Sequence, residues 1–405
     1  MTADTAAPSH RLARPPLLLL GIASGLSPFG MAIIVPAMNS IAELYDAPLS
    51  TVQFVISAYL FGLATAQPVM GYFCDRFGRR RVLLWGFAVF IVTSLICAVT
   101  PTLELLIAAR YLQAVGTSAG TVAARAILRD TCDGNELATA MSYIAAAMGA
   151  APVVAPILGG LLDTYASVSS LFVCTAAIGA LVLLAMFRRL PETLSPDEPR
   201  PNPSRLLQNY AVLLRSRPFL GNTFLFGFIQ GSFFCFLAVG AAYFYDSYGM
   251  SSKTFGFIWG LMAIAYVIGA TLGARLTERT GTRRVLHGSV ALSVLTALTL
   301  LLFALDEPVS EAAIMLPLFL LMVFSGTTTP GAMAGAIRYH PDMAGTASGL
   351  SSAAGLVISG SFTVVAGLVY TGTFLPIAGL VALACTLAAA GWLLAASADA
   401  ATKSD

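Results

Sequence analysis

The octapeptide Asp75-Arg76-Phe77-Gly78-Arg79-Arg80-Arg81-Val82 returns 203 residues later as Glu278-Arg279-Thr280-Gly281-Thr282-Arg283-Arg284-Val285. Acid, Arg, Gly, Arg, Arg and Val coincide in place. Each copy separates two apolar runs close to the about 20 residues that a helix needs to cross a bilayer core. Working outward from the two loops, apolar runs fall at 17–38, 52–73, 82–99, 103–127, 138–162 and 168–187. They resume at 219–245, 254–276, 285–304, 312–336, 344–369 and 375–396. The spacing predicts an all-α membrane protein of twelve transmembrane helices in two six-helix, pseudo-symmetric halves. A fainter echo, Gly116-Thr117 in span 4 and Gly326-Thr327 in span 10, lies at an offset of 210.

Composition agrees. Of 405 residues, 57% are hydrophobic and 10% charged, with a mean hydropathy of +0.82. Soluble domains carry about 25% charged residues. A transmembrane β-barrel would alternate apolar and polar residues, and these runs do not. The net charge of +2 says little about partners, and no nucleic-acid partner is expected, but the placement of charge is informative. Arg11, Arg14, Arg76, Arg79, Arg80, Arg81, Arg129, the 188–217 segment, Arg279, Arg283, Arg284, Arg338 and Lys403 fall on one side. The opposite loops receive Lys253 alone. The positive-inside rule then puts both termini of a multi-pass membrane protein in the cytoplasm. The first run extends from Leu17 past Ala37, too long for the apolar region of a cleaved signal peptide. The six cysteines have no metal-ligand spacing and read as scattered small apolar residues. No cofactor or metal is expected.

The chain divides at its one long polar interruption. Residues 1–187 form the expected N-terminal half, 188–217 a cytoplasmic linker, and 218–405 the C-terminal half. Pro191, Pro196, Pro199, Pro201 and Pro203 prevent a continuous helix across the linker. Leu206, Leu207, Tyr210, Leu213 and Leu214 then share one helical face between Arg205 and Arg215, the pattern of a helix lying on a membrane surface.

Three stretches carry a family resemblance. Gly71-Tyr72-Phe73-Cys74-Asp75-Arg76-Phe77-Gly78-Arg79-Arg80-Arg81 is similar to the helix 2–3 loop signature G-x-x-x-D-R-x-G-R-R of the major facilitator superfamily. Arg110-Tyr111-Leu112-Gln113-Ala114-Val115-Gly116 resembles that superfamily's helix 4 motif R-x-x-Q-G, with Ala114 where the first Gly usually stands. Gly149-Ala150-Ala151-Pro152-Val153-Val154-Ala155-Pro156-Ile157-Leu158-Gly159-Gly160 resembles the helix 5 antiporter motif, in the form typical of the bicyclomycin/chloramphenicol-resistance branch. The resemblance covers about 17–396. It implies a twelve-helix drug–proton antiporter: a secondary transporter, not an enzyme, that exports amphipathic or lipophilic compounds by alternating access.

The resemblance also implies roles. Gly71, Asp75, Arg76, Gly78, Arg79 and Arg80, with Glu278, Arg279, Gly281 and Arg283 in the second half, would gate the conformational change. Asp75 would latch the halves near the start of helix 11, at Ala344-Gly345-Thr346, where a helix dipole favours a carboxylate. Pro152, Pro156, Gly159 and Gly160 would bend helix 5 and let it pack closely. Arg110 would take part in proton coupling; an arginine about five turns from the cytoplasmic end needs a polar cavity or a partner. The branch usually carries an acid in helix 1, and Ala32 stands there here, leaving the proton carrier unassigned.

Ligand cavities combine apolar and aromatic walls with a few polar groups. The candidates are Ser27, Met31 and Ile34 on helix 1, Tyr59 on helix 2, Gln113 and Thr117 on helix 4, Gln230, Phe233 and Phe234 on helix 7, and Trp259 and Tyr266 on helix 8. The expected partners are a small-molecule substrate, protons and the lipid bilayer, with the chain a monomer. The missing helix 1 acid leaves open a facilitator or uptake carrier for one metabolite. An intramembrane enzyme would need a nucleophile–base pair or clustered ionisable groups; His10, His287 and His340 all fall at cytoplasmic positions instead. A sensor would carry an added soluble domain.

Overall fold

An apolar run placed in lipid must satisfy its backbone internally, and the α-helix does so within one segment. The computed structural model describes residues 16–132, 134–194, 203–306, 309–340 and 343–401, and every apolar run in it is helical. The long helices of the first half are α1 (Leu17–Leu44), α2 (Leu49–Phe77), α3 (Arg79–Val99), α4 (Leu103–Thr131), α5 (Gly134–Tyr165) and α6 (Val168–Arg189). Those of the second are α7 (Arg217–Tyr248), α8 (Ser252–Thr280), α9 (Thr282–Phe303), α10 (Glu311–Arg338), α11 (Ala344–Val369) and α12 (Leu375–Ala401). Eleven of these helices are long and apolar enough to cross a membrane. The remaining one, α4, contains Glu104, Arg110, Arg125, Arg129 and Asp130. It packs against α1, α2 and α3, so its charges are accommodated by neighbouring helices.

α1 is not one rod. Regular helix ends at Ala32, a tight 3-10 turn spans Val35–Ala37, and helix resumes at Met38. Pro36 has no backbone N–H to continue the ladder, and the break leaves carbonyls near the end of the first segment without helical donors.

Packing in the two halves is mirrored. α4 lies on α1, α2 and α3 as α10 lies on α7, α8 and α9. α1 meets α5 as α7 meets α11, and α3 meets α6 as α9 meets α12. Between the halves, α5 packs on α8 and α2 on α11. The turns at Gly78 and Gly281 repeat with φ of 99° and 85°, a left-handed conformation that favours glycine. Helix register departs from the sequence echo. Gly62 on α2 sits against the Tyr111 carbonyl, and Gly269 on α8 sits against the Val323 carbonyl. These two contacts do not follow the loop offset of 203, since 269 − 62 is 207, so similar close approaches arise at different registers in the two halves.

In the linker, a helix spans Pro203–Leu213. Leu213 is buried with Phe219, Ala336 and Ala347, whereas Leu207 and Leu214 are exposed. Pro196, Pro199 and Pro201 lie outside the described residues, as do Arg11, Arg14, His10 and Lys403. Below, the basic end is the end of the bundle that carries the 76–81 and 279–284 loops, and the far end is the other.

Candidate functional site

Between the two sets of helices lies a cavity of about 1110 Å³. It opens at the basic end, where Tyr72, Asp75, Arg129, Tyr210 and Gly345 line its mouth. Met31, Gln230, Phe233, Phe234, Trp259 and Tyr266 line it, six of the expected residues. Trp259 anchors an aromatic stack, with its ring 5.8 Å from Phe236, 6.0 Å from Phe255 and 5.0 Å from Phe233. The cavity also has walls that the sequence pattern did not single out: Gln67, Thr121, Arg125 and Met148 on one side, Ser325, Thr329, Ser348 and Ser352 on the other.

The other five expected residues, Ser27, Ile34, Tyr59, Gln113 and Thr117, are outside the lining and buried among helices. Two of them, Tyr59 and Gln113, touch Arg110, which is 1% exposed. Arg110 donates from Nη1 to the Gly30 carbonyl at 2.9 Å and to Gln113 Oε1 at 2.5 Å, and from Nε to the Val55 carbonyl at 3.3 Å. Its guanidinium lies 4.2 Å from the Tyr59 ring centroid. Gln113 in turn donates to Ser94 Oγ at 2.6 Å, and Tyr59 donates to the Ser27 carbonyl at 2.9 Å. One cation thus joins α1, α2, α3 and α4. Among the described residues no ion pair holds it; the Gly30 carbonyl lies beside the break in α1, at the negative end of a helix segment, where a cation is favoured. A desolvated aromatic face adds about 2 kcal/mol to such an arrangement. In the second half, Tyr266 and Met322 line the cavity and carry no charge.

At the basic end the loop charges pair locally. Arg79 bridges Asp75 at 3.2 Å and Asp130 at 2.9 Å, and Thr193 donates to Asp130 Oδ2 at 2.8 Å. Glu192 Oε1 accepts from the backbone N–H of Arg79 at 2.8 Å and of Arg80 at 3.4 Å, capping the start of α3. A Cβ on Gly78 would overlap that carboxylate. Asp75 is 48% exposed, and both it and Ala344-Gly345-Thr346 line the cavity mouth. Arg80 reaches the Phe187 carbonyl at 2.9 Å and Arg76 the Tyr72 hydroxyl at 2.8 Å. Glu192 and Asp130 were not singled out from sequence. The signal for Glu192 was a lone acid directly after the Pro191 that ends a span.

At the far end the halves touch. Pro156 presents its carbonyl to Gly256 of α8, and Gly160 packs on the Ser252 and Lys253 backbone; a Cβ at either glycine would overlap. Gly159 is pressed against the Ile33 carbonyl of α1. Lys253 Nζ donates to the Tyr165 hydroxyl at 2.8 Å, and Asn39 Nδ2 donates to the Ala241 carbonyl at 3.5 Å. Pro152, one turn nearer the basic end, lines the cavity. In the second loop, Glu278, Arg279 and Arg283 stand at the basic end, and nothing lies within 4 Å of a Cβ placed on Gly281.

The chain matches the family described as Major Facilitator Superfamily over residues 20–364 and 236–404. Multidrug resistance protein D of Escherichia coli (strain K12) is 30% identical over 336 residues, 82% of this chain and 84% of that one. The bicyclomycin resistance protein homolog of Haemophilus influenzae is 29% identical, covering 82% of this chain and 84% of its own. An uncharacterized MFS-type transporter of Bacillus subtilis (strain 168) is 31% identical over 82% of this chain and 83% of its own. Among solved structures, a D-xylose–proton symporter shares the fold with a TM-score of 0.74 at 15% identity, covering 92% of this chain and 96% of that one. A bacterial homologue of the human lysosomal transporter Spinster, inward-facing and occupied, does so at 0.71 and 14% identity, covering 95% and 94%.

Proposed function

Because this chain belongs to the major facilitator superfamily, we propose that it exports small amphipathic or lipophilic compounds by alternating access, in exchange for protons. It is a multi-pass membrane transporter with a small-molecule substrate, not an enzyme. The observation that carries the proposal is the aromatic-lined cavity of about 1110 Å³, open at the basic end and closed by α5 and α8 at the far end. That volume lies just above the usual range of ligand-pocket sizes, about 300–1,000 Å³. The arginine distribution supports a cytoplasmic basic end, with both termini there, in the inner membrane. Export, rather than uptake, is supported by the drug-resistance names of the relatives and by the doubly proline-bent α5 at the seam.

Residues 1–187 and 218–405 move as two units about the 188–217 linker, in a monomer. Seen this way, the α5–α8 contact around Pro156, Gly159 and Gly160 is the far-end gate, and the two basic loops govern the other. In the opposite conformation the cavity mouth closes and Asp75 meets the start of α11. Among the described residues Asp75 is the one carboxylate lining the cavity, so it is the proposed proton-binding group. Arg110 acts as a positioning residue in coupling. It holds the Gly30 carbonyl, next to the cavity-lining Met31 and Ala32, and passes movements of α1 to α2 and α3.

An expression strain lacking its own efflux pumps, challenged with a chemically diverse toxic panel, tests export; unchanged tolerance to every compound refutes it. Reconstituted protein under a pH gradient tests exchange, and refutes it if substrate moves no protons. One observation favours an uptake carrier instead: Ala32, without an ionisable group, faces the cavity. That reading predicts cellular accumulation of substrate, where export predicts depletion.

A further inference from the structure

Arg125 on α4 lines the cavity and is exposed to it. Among the described residues it has no hydrogen bond, ion pair or ring partner; the charge acting on it is Arg129, one turn further along, which also lines the cavity. Like charges four residues apart on a helix repel. The lining offers no free carboxylate in return, because Asp75 is held by Arg79 at 3.2 Å and already faces Arg129. The wall therefore carries surplus positive charge inside a concave, low-dielectric surround, which concentrates anions.

Its position is equally informative. Arg125 lies six residues inside the Thr131 end of α4, about 9 Å along the axis at 1.5 Å per residue. Gln230 lies thirteen residues inside the Arg217 end of α7, about 20 Å deep on the same scale. Phe233 and Trp259 lie beyond it, on the aromatic part of the wall. On this scale a molecule about 10 Å long would span from the level of Arg125 to that of Gln230, and one of about 15 Å would reach Phe233. An arginine that only set topology would sit in a loop; this one shares the cavity face of α4 with Thr121 and Val122.

We infer that the cargo is an amphipathic organic anion, whose carboxylate or sulfonate head is taken by Arg125 while its aromatic body rests at Gln230, Phe233 and Trp259. The planar guanidinium matches a carboxylate with two parallel hydrogen bonds. A lipophilic cation would meet Arg125 and Arg129 with no free acid to offset them. The inference rests on the cavity being the cargo site of the proposed transporter, and not on the direction or coupling of transport.

Binding can be read by energy transfer from Trp259, with Trp85 and Trp392 replaced by Phe, in lipid nanodiscs. The probes are dansyl-phenylalanine, its neutral amide and dansyl-cadaverine, which keep the fluorophore and change the charge. The expected result is about tenfold tighter binding of the anion than of the amide, and weaker binding of the cation. Arg125→Gln should abolish the difference and leave the amide unchanged; Arg125→Lys should keep part of it. Equal affinity for anion and amide in the unsubstituted chain overturns the inference and leaves the cavity as cargo site. This holds even if Arg125→Gln fails to fold. A preference that survives Arg125→Gln also overturns it. No energy transfer from any probe overturns both the inference and the cavity reading.

Discussion

Substituting Gly256 tests whether the α5–α8 seam is a gate. A Cβ on Gly256 would overlap the Pro156 carbonyl and lie 3.2 Å from its carbon. The obstacle is backbone, which cannot rotate away as a side chain can. Overpacking of this kind costs about 1–3 kcal/mol, more for Val than for Ala. The cost falls only on the conformation in which the far end is closed. The helix-propensity gain of Ala over Gly, about 1 kcal/mol, acts in every conformation and cancels from their ratio. Gly256→Ala and Gly256→Val should therefore shift the balance toward the far-end-open form by about 5- to 150-fold, following from those energies. Spin labels at Ser167→Cys and Thr371→Cys, both exposed at the far end on opposite halves, report the separation. Cys174 is the one native cysteine that is not buried, so it is replaced first. The expected result is a longer-distance population that grows from Gly to Ala to Val. An unchanged distribution in both variants, with the protein folded, refutes the seam as a gate.

Three further outcomes follow from the described contacts. Arg110→Leu leaves the Gln113 amide and the Gly30 and Val55 carbonyls without their donor, and should lower stability by about 1–3 kcal/mol, measured by thermal unfolding in detergent. Arg110→Lys, a point charge without the fork, should fall between. Glu192→Ala removes the cap on α3 and should cost about 1 kcal/mol, visible as faster hydrogen exchange at the Arg79 and Arg80 amides. Trp259→Ala empties the centre of the aromatic stack and should cost about 3–5 kcal/mol, with Trp259→Phe recovering most of the loss in the same assay.

The fold was legible because two signals do not depend on helix orientation: the length of each apolar run, and the recurrence of the Asp75 and Glu278 loops. The cavity was legible only in part. A span that is apolar all round has no polar face to reveal which side looks inward, so Gln230 and Trp259 could be placed while Gln113 and Tyr59 could not. Gln113 is polar because Arg110 and Ser94 need it, not because a ligand does. Arg125 escaped notice because it falls near the end of a span, where an arginine reads as a topology signal. The Gly-Thr echo between α4 and α10 carries no shared packing, because the pairs lie on different faces: Gly116 packs on α3, whereas Gly326 packs on α8.

The two Arg-rich loops share a backbone turn but not its support. On the first, Glu192 reaches back from the end of α6 and fastens the start of α3, and Thr193 ties the same strap to Asp130 on α4. On the second, nothing stands within 4 Å of a Cβ placed on Gly281, and no side chain among the described residues caps α9. Mechanically, the first half has a braced base and the second an unbraced one. Force applied through the linker then reaches α3 and α4 directly, because Glu192 and Thr193 are its own residues. If the bundle rocks as proposed, the start of α9 is where it should yield first, read as faster hydrogen exchange at the Arg283 and Arg284 amides than at Arg79 and Arg80.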